Sequence, residues 1–259
     1  MLSKSKNLIL FFIILAVISI SCKDLKQKPA ESAVSKGKII FSGVLWKVNN
    51  DKNISLDENG WLHIKLTAKD SGLTHTEIVS DTSFGFGEFT LTLGSDFTKL
   101  PNTAMLTFSS INPKARHPED LAEIGIRFLC KDILPKDGNI LDCKRLMYYT
   151  VSMDPNDVFA SEYYPEFQGG FSGGSIHKIH FRARELGFLS SPGNEFKAPL
   201  IFGNINTDKD KTPTPIKYAK PGMANKIAIN LRRMKKEGAQ LSDVEFIIKK
   251  FTYIRLEPY

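Results

Sequence analysis

The chain has 259 residues, 24% charged and 42% hydrophobic, with 18 Gly, 13 Pro and 3 Cys. These proportions exclude a disordered chain, a collagen-like repeat, a disulfide-dense miniprotein and a polytopic membrane protein. The formal net charge of +7 suits attraction to anionic surfaces, but no nucleic-acid motif accompanies it and no nucleic acid is expected as a partner.

Lys4 and Lys6 precede an apolar run from Leu8 to Ile18, which ends in Ser19-Ile20-Ser21-Cys22. A basic start, a short apolar stretch and small residues at its end predict an export signal over 1–21, too short for an ordinary spanning helix. An uncleaved anchor helix ending near Cys22 is the alternative. The small residues before Cys22 resemble the lipobox of bacterial lipoproteins, with Ser19 where that family usually has Leu. The resemblance implies cleavage before Cys22, lipid on its sulfur and an acylated amino group. The chain would then be attached to the cell envelope, at the outer membrane, with the lipid on Cys22 as its membrane partner. Each buried methylene of such an anchor adds about 0.8 kcal/mol. Removal of Lys4 and Lys6 with the leader lowers the net charge to about +5. Residues 22–38 then form the lipidated cysteine and a tether; 23–38 hold five Lys and almost no large apolar side chain.

Cys130 and Cys143 remain as an even pair for an oxidising compartment. They flank KDILPKDGNILD, which reads as a hairpin connection. A disulfide closing this 14-residue loop would stabilise by roughly 3 kcal/mol; two buried thiols are the equal alternative. No metal is expected, because His177-x-x-His180 has no partner cysteines. The glycine-rich stretch 166–175 lacks the lysine and following helix of a phosphate loop and reads as a surface loop, so no cofactor is expected.

From residue 39 onward the dominant period is two. Leu62, Ile64 and Leu66 alternate with polar or mixed neighbours, as do Phe89, Leu91 and Leu93, and Ala122, Ile124, Ile126 and Phe128. Further strands are expected at 40–46, 76–80, 103–109, 146–153, 177–182, 186–190, 199–203 and 244–255, separated by turns rich in Gly, Pro, Asn and Asp. Residues 224–238 fit two patterns: Ile227, Leu231 and Met234 have helical spacing, whereas Ile227, Ile229 and Leu231 alternate as in a strand. Many short strands without intervening helices indicate an all-β, two-sheet antiparallel sandwich over 39–259.

Several segments then fall into one order: NGWLHIKL (59–66), EIVSDTSFGFGEFTLTL (77–93), PNTAMLTFSS (101–110), AEIGIRF (122–128), IHKIHFRARELGFLSS (176–191), KIAINLRRM (226–234) and VEFIIKKFTYI (244–254). Together they resemble the concanavalin A-like glucanase domain of glycoside hydrolase family 16. The most specific parts are Phe84-Gly85-Phe86-Gly87-Glu88-Phe89 and the stretch at 123–126. The resemblance implies a jelly roll whose concave sheet carries a cleft for β-linked glycans, and it favours a strand at 226–232.

The family's active strand reads E-I-D-I-E; here it reads Glu123-Ile124-Gly125-Ile126-Arg127. Residues i, i+2 and i+4 of a strand share a face, so three acids so spaced point together into a cleft. The resemblance gives the first the role of nucleophile and the last that of acid, and a retaining pair of carboxyl groups stands about 5–5.5 Å apart. This chain keeps only Glu123, at the nucleophile position. Gly125 has no side chain, and Arg127 has a pKa above ~12 and cannot donate a proton at working pH. Loss of general acid assistance costs about 10²–10⁴ in rate. Glu123 and Arg127 are expected to form a charge-assisted pair, either as a structural bridge or as part of a ligand contact.

Two further departures concern ligand contacts: Asn230-Leu231-Arg232 stands where the resemblance implies an aromatic platform, and Phe181 where a Trp is usual. Arg127, Phe181, Asn230 and Arg232 are therefore the candidate binding residues, and convergence of Arg182, Arg184, Arg232 and Arg233 would favour an acidic ligand over a neutral β-glucan. Three functions follow: an inactive hydrolase-like domain binding glycan or another surface ligand, a glycosidase with a relocated donor such as Glu88 or Glu77, or a structural lipoprotein. The reading leans away from an enzyme. Gly87 is expected to support a bulge or close approach that a larger residue would strain.

Overall fold

Alternating side chains become alternating faces in the computed structural model, which describes residues 37–68, 75–101, 103–115, 121–129, 145–152, 161–163, 171, 173–182, 185–193, 201–206, 225–234 and 241–257. All belong to one unit, Ser32–Tyr259. Among the described residues fifteen strands follow in order. They are β1 (Lys38–Phe41), β2 (Val44–Asn49), β3 (Ile54–Leu56), β4 (Leu62–Leu66), β5 (His75–Ser80), β6 (Gly87–Leu93), β7 (Ala104–Ile111) and β8 (Leu121–Leu129). After these come β9 (Arg145–Ser152), β10 (Ser161–Tyr163), β11 (Ser175–Arg182), β12 (Glu185–Pro192), β13 (Ile201–Asn206), β14 (Lys226–Arg233) and β15 (Val244–Arg255).

The strands form two antiparallel sheets, one of eight in the order β1-β2-β5-β14-β7-β8-β9-β10 and one of seven in the order β13-β12-β11-β6-β15-β4-β3. The chain is a two-sheet sandwich, as its alternation predicts, with the jelly-roll arrangement that the family resemblance implies. Between the sheets lies one apolar core. It takes Leu62, Ile64 and Leu66 from β4 and Phe89, Leu91 and Leu93 from β6, facing Ile124, Ile126 and Phe128 from β8 and Ile227, Ile229 and Leu231 from β14. Each such side chain contributes about 1.5–3 kcal/mol on burial. Trp46 is fully buried, meets Phe251 edge-on at 5.2 Å and donates its indole N–H to the Phe41 carbonyl at 3.0 Å.

The ambiguous segment is strand β14, paired with β5 on one side and β7 on the other. A helix there would leave the backbone groups of both neighbours unpaired, so the sheet decides what local spacing could not. Residues 40–46 are a hairpin rather than one strand: Ser42 and Gly43 have φ of 52° and 74°, the paired positive values of a tight two-residue turn. Strands β3 and β10 have three residues each, too few to display a period. β8 and β9 pair antiparallel; the expected hairpin connection at 131–142 lies outside the described residues. Cys22, Cys130 and Cys143 lie outside the described residues, as do the leader and the tether through residue 36.

Candidate functional site

The outer face of the eight-stranded sheet carries a cavity of about 180 Å³, floored by adjacent strands β5, β14, β7, β8 and β9. Its lining includes Glu77, Thr107, Ser109, Glu123, Arg127, Tyr149, Asn230 and Arg232. Register explains the gathering. Glu77 pairs with Asn230, Asn230 with Thr107, and Thr107 with Arg127, one row across four strands. The next row runs Ala228, Ser109, Gly125 and Tyr149.

Gly125 shapes the centre. A Cβ there would lie 2.7 Å from the Tyr149 hydroxyl, 2.8 Å from the Phe108 carbonyl oxygen and 2.8 Å from Ser109 Cβ. Tyr149 therefore leans over the position where the resemblance implies a middle acid. Its hydroxyl donates to Glu123 Oε1, Ser109 is a further hydrogen-bond partner, and the Arg127 guanidinium sits 3.9 Å from its ring centroid. Tyr149 thus touches both members of the expected Glu123–Arg127 pair. Burial, reinforced by the neighbouring Glu123 carboxylate, pushes the Tyr149 phenol far above its ordinary range, so it stays protonated as a donor.

Asn230 donates Nδ2–H to Glu77 Oε1 at 3.1 Å. Its Oδ1 is buried and has no hydrogen-bond partner among the described residues. Arg232 is exposed at the rim. Of the expected binding residues, Arg127, Asn230 and Arg232 therefore meet in one cavity with Glu123. Phe181 does not: it belongs to β11 in the other sheet, packs 5.1 Å from Phe86 and is buried in the core. Strand parity is the reason, since Phe181 shares the inward face with Ile179.

Nor do the arginines converge as a group. Arg182 ends β11 in the opposite sheet; Arg233 points inward, is buried and donates to the Ser242 carbonyl at 2.6 Å. Arg184 lies outside the described residues. Of the two relocated donors considered, Glu88 is on the seven-stranded sheet, paired with Lys178 at 2.6 Å. Glu77 does reach the cavity, but it stands three strands across and four residues along from Glu123. Strand geometry puts their Cα atoms roughly 20 Å apart, a spacing suited to neither glycosidase arrangement, which need about 5–5.5 or 6.5–9.5 Å between carboxyl groups.

Sequence reasoning missed Tyr149. The available signal was a glycine inside an otherwise regular strand, which marks a place where another group comes close. His177 and His180 face opposite sides of β11, so they cannot share an ion. His177 is buried among Phe97, Phe128 and Phe171, with Ser175 Oγ 2.7 Å from Nε2 and Ser190 Oγ 2.8 Å from Nδ1. Tyr148 donates to the same Ser190 hydroxyl at 2.8 Å.

A larger cavity, about 450 Å³, opens between residues 95–101 and the start of β15. Its carboxylates are already engaged: Asp96 by Thr98, Asp243 by the Ala68 amide and Glu245 by His63. It shares no residue with the Glu123 groove.

No family model matches the chain, and no curated protein does. Solved structures do. An immunostimulatory antigen and pseudo β-1,3-glucanase of Mycobacterium tuberculosis is 12% identical, with 89% of this chain and 96% of that chain covered at a TM-score of 0.61. A glycosyl hydrolase family 16 protein from Mycobacterium smegmatis is 13% identical, with 88% and 96% covered and a TM-score of 0.56. The β-glucanase of Bacillus licheniformis is 12% identical, with 86% and 94% covered and a TM-score of 0.53. The chain shares the fold of these structures over 86–89% of its length.

Proposed function

We propose that this protein is a glycan-binding envelope lipoprotein whose hydrolase-like groove no longer cleaves its ligand. The observation that carries the proposal is the Tyr149 phenol packed over Gly125, bonded to Glu123 and capped by Arg127. The nucleophile position is thereby engaged as a hydrogen-bond acceptor, and the donor position holds a cation with no proton to give. The similarity to a pseudo β-1,3-glucanase is compatible with this reading. In the proposal Cys22 carries the lipid, the tether expected at 23–38 runs up to Lys38, which opens β1, and the sandwich presents its groove from the outer membrane.

A second reading, a glycosidase with Glu77 as a relocated acid, draws on the presence of Glu77 in the same cavity. Its distance from Glu123 weighs against it.

The test is binding of the mature chain to a glycan array, beside the Arg127→Ala/Arg232→Ala double variant. Retention on a defined set of glycans that the double variant loses is the expected result. No binding by the wild type, or binding that the double variant keeps, overturns the assignment of this groove. Membrane-fraction labelling with a palmitate analogue tests the anchor: label is expected on the wild type and absent from Cys22→Ala, and an unlabelled wild type overturns lipidation.

A further inference from the structure

We infer that the groove takes an amino sugar, its ammonium group donating to the Glu77 carboxylate and to Asn230 Oδ1. This rests on the glycan-binding reading and adds the ligand class to it.

Glu77 is a carboxylate set among neutral neighbours. It is half-buried, lines the cavity and lies in cross-strand register between two amide side chains, Asn49 on β2 and Asn230 on β14. Asn230 donates to its Oε1 at 3.1 Å, whereas Asn49 Nδ2 lies 2.8 Å from His75 Nε2. Among the described residues Glu77 has no ion-pair partner.

The nearby cations are placed otherwise. Lys47, two residues before Asn49 on β2, pairs with Asp81 at 3.0 Å. The Arg127 guanidinium lies against the Tyr149 ring, on a strand two beyond Asn230. Arg232 is exposed at the rim, in register with His75 rather than with Glu77. A carboxylate partly withdrawn from water without a counter-charge is costly, and a charge-assisted hydrogen bond from a ligand cation offsets that cost. The arginines that would favour an acidic ligand do not gather here: Arg233 is buried on the Ser242 carbonyl, and Arg182 ends β11 in the other sheet.

The Asn230 amide supplies an independent pointer to a donor. Its nitrogen is committed to Glu77, and its Oδ1 is buried and has no hydrogen-bond partner among the described residues. An unmatched acceptor of this kind costs about 1–3 kcal/mol. Glu77 and Asn230 are joined by their own hydrogen bond, so the amide oxygen and the second carboxylate oxygen form one acceptor unit. A hydroxyl has one hydrogen to donate to that unit. A primary ammonium has three, with a charge that matches Glu77.

The experiment is calorimetric titration of the mature chain with three β-1,4-linked disaccharides that differ only at carbon 2 of each ring: those of glucosamine, N-acetylglucosamine and glucose. The glucosamine disaccharide is expected to bind at least about tenfold tighter than the other two, the ratio that charge-assisted hydrogen bonds confer. The preference should shrink with added salt. Glu77→Gln, which keeps an acceptor for Asn230 but removes the charge, should abolish it. Arg232→Gln, at an exposed position, takes a positive charge from the strand beside Glu77 and should widen the preference with the melting temperature unchanged; it decides the matter should Glu77→Gln fail to fold. A folded Glu77→Gln that keeps the preference, or an Arg232→Gln that narrows it, overturns the inference. Equal or weaker binding of the amine, or array binding without any of the three probes, overturns this inference and leaves the glycan-binding reading standing. Absence of binding to every probe and to the array overturns both.

Discussion

His177 makes stability depend on pH in a window where few other groups titrate. Burial pushes its imidazole down to about 3, from an ordinary value of 6.5. The hydrogen bonds agree with a neutral ring. Ser190 Oγ accepts from Tyr148 and can donate its own proton to His177 Nδ1, leaving Nε2–H for Ser175. A protonated ring would put two donors against Ser190 and strand that hydroxyl's proton among Phe97, Phe128 and Phe171. Because the folded value lies below the unfolded one, the unfolded chain binds the extra proton. Stability is therefore complete above pH 6.5 and falls progressively toward pH 3. Between pH 7 and pH 5 the loss is about 2 kcal/mol, a fall in melting temperature of about 4–8 °C for a domain of this size. Asp57, Asp81 and Glu245, also held below their ordinary values, add a loss of the same sign at lower pH. Thermal melts of wild type and His177→Gln at pH 7 and pH 5 measure the effect, with the variant expected to lose most of the pH dependence. If that variant fails to fold, the imidazole resonance of wild-type His177 should show no titration down to pH 5. A midpoint near 6.5, or equal pH dependence in a folded variant, refutes the reasoning.

Three glycines yield further predictions. At Gly87 a Cβ would lie 2.1 Å from the Tyr253 ring and 2.6 Å from the Ile254 carbonyl oxygen, whereas at Gly85 nothing lies within 4 Å. Gly87→Val should therefore destabilise by at least about 1–3 kcal/mol, and Gly85→Ala should stay within about 0.5 kcal/mol, both read by urea denaturation; similar effects would contradict the packing. Gly125→Ala should cost about 1–3 kcal/mol, and relative to Tyr149→Phe alone the same change should cost less but still something, because the Phe108 carbonyl contact remains. No cost in that background would mean that Tyr149 alone enforces the glycine. Tyr149→Phe should destabilise by about 1–3 kcal/mol by removing the donor to Glu123; an unchanged denaturation midpoint would contradict that hydrogen bond.

Much of the sandwich was readable because a half-buried strand must alternate, and Leu62–Leu66, Phe89–Leu93 and Ile124–Phe128 do so cleanly. The limits were equally physical. Residues 226–233 satisfy two periods, and only pairing with β5 and β7 selects one. The Ser42-Gly43 turn lacks the usual asparagine or aspartate before its glycine, so the hairpin passed for a single strand. At the site, the i, i+2, i+4 rule placed Glu123, Gly125 and Arg127 on one face, and β14 brought Asn230 and Arg232 alongside. Tyr149 was hidden because its role depends on cross-strand register opposite Gly125, which no local window contains. Phe181 failed for the converse reason: a likeness by motif order does not fix the face a residue presents, and strand parity turned it into the core.

The central claim, a groove that holds sugar without breaking it, is tested most directly by product analysis after prolonged incubation with unactivated β-glucans, galactans and acidic oligosaccharides, for wild type and Glu123→Gln side by side. Indistinguishable background levels of new reducing ends are the predicted result. Cleavage by the wild type that Glu123→Gln abolishes would contradict the account.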